Sequence, residues 1–354
     1  MIKKEEIINA IEKAKKWVLN LQKENGCFHG DFIWHDGEGI RALLSIYRRT
    51  KEHILIERAK RCADFILSLQ YLNKNSPLYG AYETPAYTSK NQIAPSDIFE
   101  CLSGIIEIYK ETKEEKYLKS AKLAADWIIK NLHSPGVIGQ LFDIEKWEHI
   151  NPLPIHDDAS FLMLYEETKE EKYLKVFKDQ IDYLIKNQDL EGNWYCGHYY
   201  FKEIKPSSGR TLYWFTYPIL MAYKFLREKY LIPPLIRAVD RILRLQLWDG
   251  SIPAGIETDG SWRLENREGN DGTATAMCAI ILLETYLLFN EKRYLESGLR
   301  CLRFILDNQL QDGQFYHSKL FKDNKWVPFQ RDISTFFGII ALENYLKKRR
   351  KYEK

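Results

Sequence analysis

The chain lacks the marks of several large functional classes. Its 52 Lys and Arg stand against 49 Asp and Glu, a formal excess of only +3. The two signs are interspersed along the chain rather than gathered in blocks, which argues against a polyanion partner such as nucleic acid. The six cysteines (Cys27, Cys62, Cys101, Cys196, Cys278 and Cys301) include no CxxC pair and no histidines at metal-ligand spacing. They read as reduced, packed thiols rather than a disulfide framework or a structural zinc. No stretch reaches the roughly 18 apolar residues of a membrane span, and Met1 to Lys16 alternate charge and aliphatics with no apolar signal core. A cytoplasmic protein with no membrane partner is the expectation.

What the chain does have is material for a core: 354 residues, 45% hydrophobic against 29% charged, far from a disordered composition. It also repeats itself. The octapeptide Glu-Thr-Lys-Glu-Glu-Lys-Tyr-Leu stands at 111–118 and again, unchanged, at 167–174, with weaker copies at Arg49-Thr50-Lys51-Glu52 and Asn290-Glu291-Lys292-Arg293-Tyr294-Leu295. After each copy comes a helical segment with a shared ending, an aromatic, an aliphatic, three residues and Gln: Trp17 to Gln22, Phe65 to Gln70, Tyr183 to Gln188 and Phe304 to Gln309. Arg241 to Gln246 lacks the aromatic, and Trp127-Ile128 ends at Leu132. In four copies a Gly follows after three more residues (Gly26, Gly192, Gly250, Gly313), as a turn that stops a helix at positive φ requires.

Six endings divide the chain into six units of about 59 residues. Each continues through a loop rich in Gly, Pro, Asn and aromatics into a second helix, near Gly37 to Tyr47, Asp97 to Tyr109, Asp158 to Tyr165, Thr211 to Phe225, Thr273 to Leu288 and Ser334 to Tyr345. The first helix of each pair is amphipathic, while the second reads apolar all round, as in Ala-Met-Cys-Ala-Ile-Ile-Leu-Leu at 276–283, the pattern of an inner helix covered on both sides. The expected fold is all-α, an (α/α)6 barrel of six helical hairpins, built as a single domain over 1–354. Every long loop then falls on one end of the barrel, the expected functional face.

The repeat resembles two sets of (α/α)6 proteins. The pattern aromatic-aliphatic-x3-Gln-x3-Gly-x-aromatic, met by Trp17 to Phe28, Tyr183 to Trp194 and Phe304 to Phe315, is similar to that of terpenoid cyclases and protein prenyltransferase β-subunits. The other set is the six-hairpin glycosidases, among which the unsaturated uronyl hydrolases look nearest. His156-Asp157-Asp158-Ala159-Ser160-Phe161, Gly209-Arg210 and Asn270-Asp271-Gly272-Thr273-Ala274-Thr275-Ala276 resemble their signatures in order and spacing, and Ser208-Gly209-Arg210-Thr211-Leu212-Tyr213-Trp214 meets a further signature in part. The Asp-x-Asp-Asp acid of a cyclase is missing. A prenyltransferase zinc would need Asp, Cys and His on neighbouring inner helices; Arg331-Asp332-Ile333-Ser334-Thr335-Phe336 resembles the segment that would supply the His, yet Phe336 and its neighbours offer no ligand. No metal, nucleotide or other cofactor is expected.

Acidic groups stand at the start of five of the second helices: Asp36 and Glu38, Asp97, Asp157 and Asp158, Asp271, and Asp332. A mouth ringed by carboxyls can protonate a glycosidic or vinyl-ether oxygen with one group and activate water with another, if burial raises one pKa and leaves the second ionised. Each Asp equally suits an N-cap. The doubled Asp157-Asp158 allows one side chain to cap while its neighbour does chemistry. The uronyl hydrolase resemblance implies a general acid/base at Asp158 or Asp157, with Asp97 tuning its pKa. His35, His156, His198, Arg210 and Arg331 are candidate partners of a substrate hydroxyl or carboxylate. Trp194 and Trp214, with many Tyr and Trp of the same loops, offer flat faces for a sugar ring or an isoprenoid.

The reading that follows is a carbohydrate-active enzyme, a glycoside hydrolase of unsaturated uronyl-type oligosaccharides working by Asp acid/base catalysis on a small-molecule substrate. The alternatives are a terpenoid-cyclase-like or prenyltransferase-like enzyme, a sugar epimerase using paired histidines such as His156 and His198, and a barrel that only binds.

Overall fold

The computed structural model describes residues 2–196, 205–206, 209–253, 267–268, 270–322, 325–329 and 331–352. Helices follow one another in pairs. In chain order these are α1 (Lys4–Leu21) and α2 (Ile33–Thr50); α3 (His53–Ser68) and α5 (Pro95–Thr112), with the single turn α4 (Pro85–Thr88) between them in sequence; α6 (Glu115–Lys130) and α7 (Ser160–Thr168); α8 (Glu171–Lys186) and α9 (Gly209–Leu226); α10 (Ile232–Leu245) and α11 (Gly272–Phe289); α12 (Lys292–Asp307) and α13 (Asp332–Tyr352). Five of the six second helices run beyond their sequence-based bounds at both ends, and the third begins at Ser160, just after the doubled Asp.

The chain falls into two compact units, one comprising 2–20, 188–196 and 205–352, the other 21–187. In the second unit α2 packs on α3 and α5, α5 on α6 and α7, and α7 on α8. A three-stranded antiparallel ribbon, β1 (Gln92–Ile93), β2 (Val137–Asp143) and β3 (Glu148–Pro154), is paired through Ile93↔Phe142 and Leu141↔Ile150 and covers α5. In the first unit α11 packs on α9, α12 and α13. Gly272–Phe289 has the length and hydropathy of a membrane span, but 83% of it is buried inside the protein, as expected of a core helix.

The repeated octapeptide is a helix-to-helix joint. Thr112 Oγ1 donates to Ile108 O at 2.8 Å and accepts from the Glu114 N–H at 3.2 Å. Lys113, at φ 56, closes α5 with its N–H on Tyr109 O, and the Tyr117 hydroxyl donates to Asp64 of α3 at 3.1 Å. The second copy repeats every contact: Thr168 with Leu164 O and the Glu170 N–H, Lys169 at φ 60, and Tyr173 on Asp126 of α6. A single left-handed residue thus reverses the chain, and the tyrosine ties each first helix to the one before it.

The Gln and Gly of the shared ending also form a joint. Gln246 Nε2 donates to Gly250 O and to Ser297 O, both at 2.9 Å, while Gln309 Nε2 donates to Gly313 O and Ala10 O. Gln22 does the same with Gly26 O and Arg58 O in the other unit. Each Gln therefore staples its own turn to a neighbouring first helix. The copy ending at Gln70 carries its Gly later, at Gly80, and Gly136 follows Leu132 at the same spacing as in the four other copies; both are at positive φ. At Gly192, φ is +88 and a Cβ would lie 2.2 Å from Arg237 O. Gly192→Ala is therefore expected to lower stability by about 2 kcal/mol, read as a lower urea midpoint at unchanged m-value.

Candidate active site

The close approach of α2 and α5 positions the acidic groups of the second unit. A Cβ on Gly37 would lie 2.6 Å from Cys101 Cα, and one on Gly104 would lie 2.4 Å from Gly37 O. Only glycines let the two backbones touch, and this contact brings the first turns of both helices, with Asp36, Glu38, Asp97 and Glu100, into one region. The loop before α7 is seated on the same turns. Ser160 Oγ donates to Phe99 O at 3.1 Å, and the His156 ring meets the Phe99 ring edge-on at 5.1 Å.

Asp97 stands in the first turn of α5 behind Pro95. It is 5% exposed. Its Oδ1 is 3.4 Å from Ser96 Oγ, and its Oδ2, buried, meets no hydrogen-bond donor among the described residues. Burial first, then the negative charge of Glu100, push its pKa well above the ordinary carboxylate range, against the pull of the Ser96 hydroxyl. One turn on, Glu100 Oε1 lies 3.0 Å from His156 Nε2. The other ring nitrogen, Nδ1, is 3.1 Å from Pro154 O. A carbonyl only accepts, so Nδ1 carries a proton. Burial pushes the pKa of His156 down to about 4.

Asp158 is held differently. Its Oδ2 forms an ion pair with Arg41 Nη1 at 2.6 Å, and that nitrogen donates hydrogen bonds to both oxygens of Glu38, at 2.9 and 2.8 Å. Arg41 Nε donates to Glu107 of α5 at 3.1 Å, and Arg48 reaches Glu107 and Glu111. Burial, then the Arg48 and Arg41 charges that outweigh it, leave the pKa of Glu107 lowered. Neither Arg41 nor Glu100 was singled out by the sequence patterns.

The other candidate acids are engaged with backbone. Asp36, expected as a substrate ligand, accepts from the N–H groups of Phe28, His29 and Gly30 at 2.6 to 3.0 Å and is fully buried. Asp157 accepts from the N–H groups of Ala159 and Ser160 at 3.1 and 2.8 Å and from Gln180, so it is the capping member of its doublet. Its pKa is raised by burial and lowered by these donors, with burial prevailing. Asp332 accepts from the N–H of Ile333 at the start of α13, beside the half-buried Arg331. His35 is buried, its ring against those of Trp34 and His29. Trp194 is 1% exposed with its ring 5.5 Å from Phe215, and Trp214 is buried as well, so neither offers an open face. His198 lies outside the described residues.

In the first unit Asp271 caps α11 through the Ala274 N–H and accepts from Arg210 Nε at 2.7 Å. Burial would raise its pKa, but Arg210, then His317 and the cap, lower it. Arg210 Nη2 is 3.1 Å from His317 Nε2. Guanidinium only donates, so Nε2 accepts and His317 carries its proton on Nδ1, facing Thr273 and Ser334. His317 is fully buried and had no local sequence signal. Among the described residues, no group of three or more His, Cys, Asp or Glu is placed to hold a metal ion.

No protein-family model matches the sequence, and no curated protein matches it. Solved structures do resemble the protein. A possible member of the GH105 family from Klebsiella pneumoniae is 14% identical, with a TM-score of 0.69 over 99% of this chain and 95% of that one. A glycosyl hydrolase of family 88 from Bacteroides vulgatus is 15% identical, with a TM-score of 0.66 over 97% and 99%. Cellobiose 2-epimerase from Spirochaeta thermophila is 13% identical, with a TM-score of 0.72 over 95% and 94%. The chain adopts the all-α, six-hairpin (α/α)6 fold of these enzymes.

Proposed function

We propose that the protein is a glycoside hydrolase that acts on short oligosaccharides bearing an unsaturated uronyl residue, through paired carboxyls in opposite protonation states. The observation that carries the reading is the contrast between Asp97 and Asp158. Asp97 is buried and its pKa is raised, the condition of a general acid poised to give up a proton. Asp158 is ion-paired with Arg41 at 2.6 Å and serves as the ionised partner that activates water. This exchanges the two roles anticipated from sequence, in which Asp158 donated and Asp97 tuned.

The fold supports the reading, since solved structures that share it include a glycosyl hydrolase of family 88. It also admits sugar epimerisation, because a cellobiose 2-epimerase shares it. Incubation with an unsaturated uronyl disaccharide, with cellobiose and with a prenyl diphosphate separates the readings. Loss of the conjugated absorbance of the uronide is the expected result. An epimerised product from cellobiose, or turnover of the diphosphate alone, overturns it.

A further inference from the structure

Among the described residues, four carboxyls gather on Arg41 and Arg48. Glu38 and Asp158 are 2% and 3% exposed, and Glu107 lies between the two guanidiniums of Arg41 and Arg48. Glu111 pairs with Arg48 as well. Arg41 Nη1 has two hydrogens, yet three carboxyl oxygens from two residues stand within 2.6 to 2.9 Å of it. Two ionised carboxylates converging on one nitrogen away from water repel strongly, and one proton between them removes the repulsion.

We propose that Glu38 is a positioning residue that keeps a proton at neutral pH and donates it as a hydrogen bond to Asp158, leaving Asp158 as the carboxylate on Arg41 Nη1 while Glu107 holds Nε. Burial first, with the charge of Asp158, outweighs the attraction of Arg41 in holding the Glu38 carboxyl well above its usual range. The groups that face Glu38 are Arg41 on its own helix, Asp158 from the loop before α7, and Cys101 of α5; burial and the surrounding carboxylates raise the pKa of the Cys101 thiol, which keeps it neutral. The catalytic half of the inference rests on the reading of Asp158 as the ionised carboxyl of the reaction. The shared proton does not.

The test compares the full chain with its Glu38→Gln variant, which keeps a donor toward Asp158 and has no proton to lose. A carboxyl whose folded pKa is raised adds stability at acid pH that is lost as pH climbs toward that pKa. The Tm of the wild type is thus expected to fall relative to Glu38→Gln between pH 5 and 9, by roughly 2 °C per pH unit once Glu38 ionises in the unfolded chain alone. The infrared difference spectrum at pH 7 is expected to show loss of a protonated carboxyl band. A flat Tm difference, or loss of carboxylate bands only, overturns the shared proton. If the Gln variant does not fold, carboxyl ¹³C NMR of Glu-labelled Glu100→Gln protein decides: one Glu carbon still protonated at pH 7 supports it, and none overturns it. Where the uronide is turned over, Glu38→Leu is expected to lower kcat on the order of tenfold at constant KM, and Gln to restore most of it. Equal kcat in Leu and Gln variants removes the positioning role, whatever the spectra show.

Discussion

Asp97→Asn is expected to lower kcat for the unsaturated uronide by about a thousandfold or more while the protein stays folded, since removing a general acid typically costs two to four orders of magnitude. Asn keeps the volume of Asp and its contact with Ser96, so the first turn of α5 and its packing on α2 have no reason to change. Its effect on stability carries the opposite sign to its effect on rate. The raised pKa of Asp97 in the folded state, set by burial and then by Glu100, means that its contribution is present in acid and is lost as pH rises from the unfolded value toward the folded one. Asn removes that loss, so the variant is expected to match or exceed the wild type in Tm above about pH 5, where an unfolded Asp is ionised. Activity lost with Tm held or raised is the pattern of a group kept for function at a cost in stability. Turnover within tenfold of wild type would take Asp97 out of the reaction, and a fall in Tm at every pH would assign it a packing role.

The fold was legible because its information is local and repeated. Thr112 closes its helix on Ile108, four residues back, and Gln246 reaches Gly250, four residues on, so each joint leaves a short motif that recurs with every hairpin. The ribbon β2–β3 escaped because β2 is buried on both faces, with Val137, Ile138, Leu141 and Phe142 all inside, and so shows no alternation of apolar and polar residues. The site was legible only as a set of candidates. Asp36, Asp97, Asp157, Asp271 and Asp332 occupy similar places in sequence, yet backbone amides saturate Asp36 and Asp157 and leave Asp97 Oδ2 without a donor among the described residues. That distinction depends on where the preceding loop runs. The partners that decide the chemistry are distant as well: Arg41 meets Glu107 and Asp158 only because Gly37 and Gly104 let α2 and α5 touch, and His317 meets Arg210 across more than a hundred residues.

Arg41→Met is expected to be the most destabilising single change in the second unit, by about 3–5 kcal/mol at pH 7, the usual result of removing one partner from a buried ion pair. Met fills most of the aliphatic volume of Arg, so the loss is electrostatic rather than a cavity. Without the guanidinium, Glu38, Asp158 and Glu107 lose the cation they share, and Arg48 is bound from the far side of Glu107. The pH dependence gives the cause. Carboxyls stripped of their cation have folded pKa values above their unfolded ones, so the stability they allow is present in acid and drains away as pH rises. The variant is therefore expected to recover much of its deficit between pH 7 and pH 5, measured as the urea midpoint of each protein at each pH. Adding Glu38→Gln removes one of the three acids, and the double variant is expected to be more stable at pH 7 than Arg41→Met alone, a coupling that independent sites would not show. A deficit that does not change with pH would mean that Arg41 acts through its packed stem, and that the carboxyls around it find water or other donors when it leaves.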